Sequence, residues 1–285
     1  FSRVLSSLSH LRVKTRLPFV RMKSVLSILF LCFMMSFSTD DFKTQQLKYE
    51  RVKAAYDEKS QAAFALLAAK GIAPEHLRLF FRALKKERLF EVWAKNETDA
   101  HFQLLVSYPI AGYAGNFGPK RKQGDMQIPE GFYVIERYNP ISNFHLSLGV
   151  NYPNQSDRIL GVKGNLGNDI FIHGAAMTVG CIPVTDDKIK EVYLYAVEAR
   201  NAGQTQIPVH IFPSKLDDVH FEELKTIARS NEFLEYWTIW SGGKPADANK
   251  FIRFWESLKK GYDYFDKTNT LPRVSVKSNG EYQVN

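Results

Sequence analysis

The sequence predicts an α+β fold in which a β-rich centre is flanked by helices, and three observations predict it. Apolar residues recur three and four apart from Phe42 to about Lys70; from Leu89 short β-prone runs alternate with Gly, Pro and Asn breaks; after Pro213 the helical spacing returns. With 45% hydrophobic and 13% aromatic residues the chain has enough apolar bulk for a sizeable core, which argues against a disordered chain.

The first element is an expected export signal over residues 22–38. Arg21 and Lys23 form its basic start, Val25 to Phe37 is an apolar run too short to span a bilayer comfortably, and Ser36-Phe37-Ser38 places small residues where a signal peptidase reads. Met22 is read as the true start, with residues 1–21 an upstream extension; an uncleaved membrane anchor is the alternative, and either way the remainder lies outside the cytoplasm, in the periplasm or envelope. Residues 1–38 hold six of the 38 basic residues and no acidic one. The rest, with 32 basic against 30 acidic residues, is nearly balanced and has no dense Lys/Arg run, so the net charge of +8 does not argue for a nucleic-acid partner.

A helical amino-terminal segment is expected over 39–88. Leu47, Val52, Ala55, Tyr56, Ala63, Phe64 and Leu67 mark the buried face of its first helix, which Gly71 ends; Pro74 with Leu77, Phe80, Phe81 and Leu84 predicts a second over 74–86. Strands follow near 89–95, 101–108, 131–138, 144–150, 168–173 and 207–212, in a domain expected over 89–213. One helix interrupts them, capped by Thr185 or Asp186 and burying Ile189, Val192, Tyr193, Ala196 and Val197. Residues 214–285 read as a helical extension, through Phe221 to Glu235 and Lys250 to Lys260, ending in a short extended tail.

Cysteine usage directs attention to one stretch. Cys32 leaves with a cleaved signal, so Cys181 is the mature chain's lone thiol in an oxidising compartment, either buried and inert or reactive. It lies in FIHGAAMTVGCIPVTD, residues 171–186, where His173 ends a strand beside Gly174 and Gly180-Cys181 follows just before a helix. A thiolate is the nucleophile in such chemistry; an imidazole can take the thiol proton and return it to a leaving amine, and glycine lets a carbonyl approach backbone amides. A core histidine and a buried thiol are the other reading of the same spacing.

The HG pair a short distance before a GC pair resembles the signature of the L,D-transpeptidase catalytic domain, the YkuD type, and in particular its YafK-like branch. Lys120, Gly124-Asp125, the run Pro129 to Tyr133, Ser142 to Ser147, Tyr152-Pro153-Asn154, Asp157, Phe254-Trp255 and Gly261-Tyr262 extend the likeness over about residues 90–285. The resemblance implies a mixed-strand β-sandwich catalytic domain with Cys181 as acyl-accepting nucleophile and His173 as its base. It further implies that the Gly174 carbonyl orients the imidazole and that amides around Gly180 and Cys181 form an oxyanion hole. Many family members have a longer gap and a second histidine where this chain has Val179.

The implied substrate is a peptidoglycan stem peptide and the implied setting cell-wall biogenesis and cell shape, with no cofactor. A hydrolase of the same family, cleaving stem peptides or peptidoglycan–protein links, would use the same residues; an envelope binding module with a dead site is the alternative from another class. Candidate substrate contacts are His145, Thr178 and Lys120, the last as a cation for stem-peptide carboxylates, although a packed strand histidine and a solvated loop account for His145 and Lys120 as well. No C-x-x-C, H-E-x-x-H or clustered carboxylate pattern points to a metal.

Overall fold

Burial on both faces decides the centre of the molecule. The computed structural model describes residues 41–167 and 169–285, so the expected export signal and Cys32 lie outside the described residues. Strand β1 (Leu77–Leu84) runs through the middle of an eight-stranded sheet and is almost wholly buried. This corrects the helix expected over 74–86: only a 3₁₀ turn, Pro74–His76, is helical there. A strand covered on both faces is apolar at successive positions, and Leu77, Phe80, Phe81 and Leu84 then satisfy a helical template by accident.

The other strands are β2 (Leu89–Asn96), β3 (Gln103–Pro109), β4 (Gly131–Asn139), β5 (Ser147–Val150), β6 (Ile170–His173), β7 (Ile182–Pro183) and β8 (Ile207–Phe212). Their order across the sheet is β3-β2-β1-β8-β4-β5-β6-β7. The β1–β8 and β6–β7 pairs are parallel and the remaining pairs antiparallel. The fold is thus α+β with one curled, mixed-strand sheet.

Helices α1 (Phe42–Gln46) and α2 (Glu50–Ala69) form the amino-terminal layer; the Asp41 carboxylate caps α1 by accepting from the Thr44 amide at 2.7 Å. Short α3 (Gln155–Leu160) sits between β5 and β6, and α4 (Thr185–Asn201) follows β7. The stripe read from the sequence, Ile189, Val192, Tyr193, Ala196 and Val197, is fully buried. α4 packs between the sheet and α2, to which it is tied by Tyr56 donating to Glu198 at 2.8 Å and Lys190 to Glu58 at 2.5 Å.

At the other end, α5 (Asp218–Ala228), α6 (Asn231–Trp240) and α7 (Ala248–Thr268) form the carboxyl-terminal extension. Trp255 of α7 is fully buried and donates to Glu130 Oε2 at 2.8 Å; Glu130 Oε1 accepts from the equally buried Lys85 at 2.7 Å. Lys85 also donates to the carbonyls of Gly118 and Ile128, so one buried side chain fixes the long connection between β3 and β4. The tail is a small hairpin, β9 (Val274–Val276) with β10 (Tyr282–Val284), and the Tyr282 hydroxyl accepts from Asn154 at 2.8 Å.

Beneath that hairpin Asp157 is completely buried, accepting from the Asn154 amide and the Tyr133 hydroxyl, each at 3.0 Å. Burial pushes its carboxyl up to about 6, against the opposing pull of Arg121. The folded chain therefore binds this proton more tightly than the unfolded chain, so the group's contribution to stability is full below its ordinary pKa of 3.8 and is lost as pH rises through about 6. In urea melts at pH 5 and pH 7.5, Asp157→Asn should lose a pH-dependent component of about 1.4 kcal/mol that the parent chain shows, one pH unit's worth between pH 5 and about 6; equal pH slopes in the two proteins would refute this assignment.

Candidate active site

Strands β6 and β7 align Ile172 with Ile182 and His173 with Pro183. Both isoleucines are fully buried in the core beneath α4, so strand alternation turns Phe171, His173, Cys181 and Pro183 to the opposite face. Parallel neighbours usually need a crossover of a dozen or more residues, yet here eight residues, 174–181, connect them. The turn achieves this with backbone in the left-handed half of conformational space at Ala175 (φ +56°) and Gly180 (φ +135°).

Two glycines are required by contact as well as by direction. A Cβ on Gly174 would lie 2.4 Å from the Asp186 carboxylate and 2.6 Å from the Phe144 carbonyl; one on Gly180 would lie 2.7 Å from the Gln127 carbonyl. Thr178 staples the turn, its hydroxyl accepting from the Gly180 amide at 3.1 Å and donating to the Cys181 carbonyl at 2.8 Å. The N-cap position of α4 is Val184, which makes no side-chain cap bond, so neither Thr185 nor Asp186 is the cap expected from the sequence. Thr185 lies in the first turn, its hydroxyl accepting from the Lys188 amide at 3.4 Å, and Asp186 turns back to accept from the Ala175 amide at 2.7 Å.

The His173 ring is 1% exposed and its Nδ1 lies 2.5 Å from the Gly174 carbonyl oxygen. A carbonyl only accepts, so Nδ1 carries the proton and Nε2 is left as the basic nitrogen. Phe144 lies against the ring, with centroids 4.6 Å apart and planes 32° from parallel. Burial lowers the imidazole pKa below its ordinary 6.5, opposed by the Gly174 carbonyl and the Asp186 charge.

Cys181 is half-buried. Its sulfur accepts from the Phe171 amide at 3.4 Å and its thiol faces the Asp169 carbonyl at 3.7 Å; among the described residues the imidazole is not one of its hydrogen-bond partners. Burial pushes the thiol above its ordinary pKa, with the Phe171 amide and the charge of Lys120 pulling the other way. Thiol and imidazole therefore rest neutral, a state from which proton transfer must accompany attack rather than precede it.

The remaining sequence candidates are placed differently from one another. Lys120 is 5% exposed and its ammonium is engaged by Asp125 at 2.8 Å and the Lys122 carbonyl at 2.9 Å, so it acts on the thiol through its field rather than as a free substrate contact. His145, at φ +70°, precedes β5 beside Gly174, and its Nε2 is buried without a hydrogen-bond partner among the described residues. The Gly180 amide, read as an oxyanion donor, is committed to Thr178. Sequence reasoning passed over Phe144 and Asp186 as site residues; an exposed aromatic beside a strand and an acid inside a helix start carry no spacing signal of their own.

Residues 81–211 match the family model for the L,D-transpeptidase catalytic domain, YkuD. The proteins named "Putative L,D-transpeptidase YafK" in Escherichia coli K12 and Escherichia coli O157:H7 are each 33% identical over 214 residues, covering 74% of this chain and 74% of theirs. The chain belongs to the L,D-transpeptidase family. Among solved structures, the helical cell shape determining protein Pgp2 of Campylobacter jejuni covers 71% of this L,D-transpeptidase-family chain and 73% of its own at 16% identity and a TM-score of 0.39, too distant to carry its role across. Among the described residues of this family member no helix is long and apolar enough to cross a membrane, and no group of three or more His, Cys, Asp or Glu side chains could hold a metal.

The turn's geometry predicts a local failure. Gly180→Ala should destabilise the fold by about 1–3 kcal/mol, the usual cost of a side chain in a disallowed backbone region, and should change the rate at which an iodoacetamide probe labels Cys181. A variant with the parent's melting midpoint and labelling rate would show that the turn is not under this constraint.

Proposed function

We propose that the chain is a cysteine acyltransferase of the L,D-transpeptidase type, acting on peptidoglycan stem peptides in the cell envelope. The observation that supports the reading is that His173, at the end of β6, and Cys181, the residue just before β7, are turned to a common face by the parallel β6–β7 pairing, with Nδ1 locked to the Gly174 carbonyl so that Nε2 is the available base. Family membership supplies the substrate class, and the export signal expected over 22–38 agrees with work outside the cytoplasm.

Cys181 Sγ attacks the carbonyl carbon between an L-configured centre and a D-amino acid while His173 Nε2 takes the thiol proton. The tetrahedral oxyanion is held by backbone donors at the Gly180–Cys181 turn, with the Cys181 amide the candidate, since the Gly180 amide serves Thr178. Collapse breaks the C–N bond, the proton passes from His173 to the leaving amine, and a thioester remains on Cys181. An amine resolving it gives a cross-link and water a shortened stem, from one set of residues. Lys120 favours the developing negative sulfur through its field, since its charge lowers the thiol pKa.

Incubation with muropeptides and mass analysis of the products tests the proposal. Cys181→Ser and His173→Ala should each lower turnover about 10³-fold or more while the fold persists. Because the base must be neutral and burial holds it below 6.5, activity should persist at pH 6.5 and fall away only under more acidic conditions. Unchanged turnover in either variant, or an acidic limb above pH 6.5, would overturn the assignment of these roles.

A further inference from the structure

We infer that Arg51, on the amino-terminal helix α2, is a positioning residue of the active site: it holds the turn at 142–145, and with it Phe144, against the imidazole of His173. The inference rests on the reading of His173 as the base.

The contacts form a continuous chain from helix to imidazole. Arg51 Nη1 donates to the carbonyls of Ser142, at 2.5 Å, and His145, at 2.8 Å, closing the turn from outside. Within the turn the Ser142 hydroxyl accepts from the Phe144 amide at 3.1 Å. The Phe144 carbonyl in turn accepts from the Gly174 amide at 3.0 Å, with Leu146 as a second acceptor at 3.3 Å, and the Gly174 carbonyl is the one that fixes His173 Nδ1. The same residue therefore supplies both the ring that covers the imidazole and a carbonyl that holds Gly174, the residue whose own carbonyl orients it.

Beside those bonds and the burial of Ser142 and Leu146 at its ends, the middle of the turn is weakly held. His145 sits at φ +70°, which strains a non-glycine residue, and its own Nε2 makes no hydrogen bond among the described residues. Phe144 remains substantially exposed, so burial alone does not fix its ring. Arg51, by contrast, stands on a rigid support: α2 buries Val52, Ala55, Ala63 and Leu67 and is bonded to α4, whose first turn carries Asp186. A guanidinium donating to two neutral carbonyls is a geometric clamp rather than an ion pair.

Charged groups near the ring are few. Asp186, from the start of α4, is the charge whose field reaches His173; Arg51, Lys190, Asp186 and Glu58 act on His145 instead. Loss of the clamp therefore changes His173 by admitting water to the ring rather than by removing a charge beside it.

The test uses the full chain with Arg51→Ala and Arg51→Lys, read two ways. The first is the titration of the His173 ring by NMR, assigned with His173→Ala; the second is kcat and KM on a muropeptide. Arg51→Ala should raise the ring's titration midpoint toward 6.5 and lower kcat about tenfold with KM within about twofold. Arg51→Lys, which keeps reach and donors, should restore both readouts most of the way. If Arg51→Ala does not fold, Arg51→Gln, whose shorter amide reaches less well, should show the same two changes. A parent-like titration and kcat in a folded Arg51→Ala or Arg51→Gln protein would overturn the inference. If the parent chain itself transfers no acyl group, the enzymatic reading fails, while the ring titration still decides whether Arg51 controls the imidazole.

Discussion

The parallel pairing of β6 with β7 is the constraint on which the site depends. Because Ile172 and Ile182 are both drawn into the core under α4, His173 and Cys181 have no choice but to share the opposite face. Burying two isoleucines stabilises the arrangement by about 1.5–3 kcal/mol each, far more than any single hydrogen bond in the turn contributes. The turn then only has to be short and correctly shaped, which is why its glycines sit where a Cβ would strike backbone or carboxylate. The placement of the pair on one face is a by-product of core packing.

Around that pair the protein arranges neutrality. Both titratable groups are pushed by burial toward their uncharged forms, and two groups oppose burial at each: the Gly174 carbonyl and Asp186 for His173, the Phe171 amide and Lys120 for Cys181. Neutral partners can coexist in partly buried surroundings without the desolvation cost of an ion pair. The layers outside the sheet serve the same end. Helix α4 presents Asp186, α2 presents Arg51, and the Lys85–Glu130–Trp255 cluster anchors the loop carrying Gln127, whose carbonyl abuts Gly180.

Much of this was legible in the sequence, for identifiable reasons. The α4 stripe stood out through its helical period, and strands β2, β4 and β8 as short β-prone runs bounded by turn residues. The His173 and Cys181 pair stood out because two glycine-containing dipeptides carry a family signature. What escaped notice lacked local contrast. β1 is buried on both faces and so has no alternation; β7 is two residues long; α3 announces itself only through the Asn154–Asp157 capping box, and the tail hairpin is three residues a side. Arg51 was invisible as a partner of the site because its link runs through backbone carbonyls distant in sequence, and Phe144 because its ring meets His173 across a sequence separation that no local pattern encodes.

The central claim is that the Cys181 sulfur becomes covalently acylated with His173 as its base. Intact-mass analysis of the protein during reaction with a muropeptide donor, followed by peptide mapping, measures this directly. The account predicts a transient adduct equal to the acyl fragment, located on the peptide containing Cys181 and greatly diminished in His173→Ala. Product formation with no adduct on Cys181, or an adduct on another residue, would contradict it.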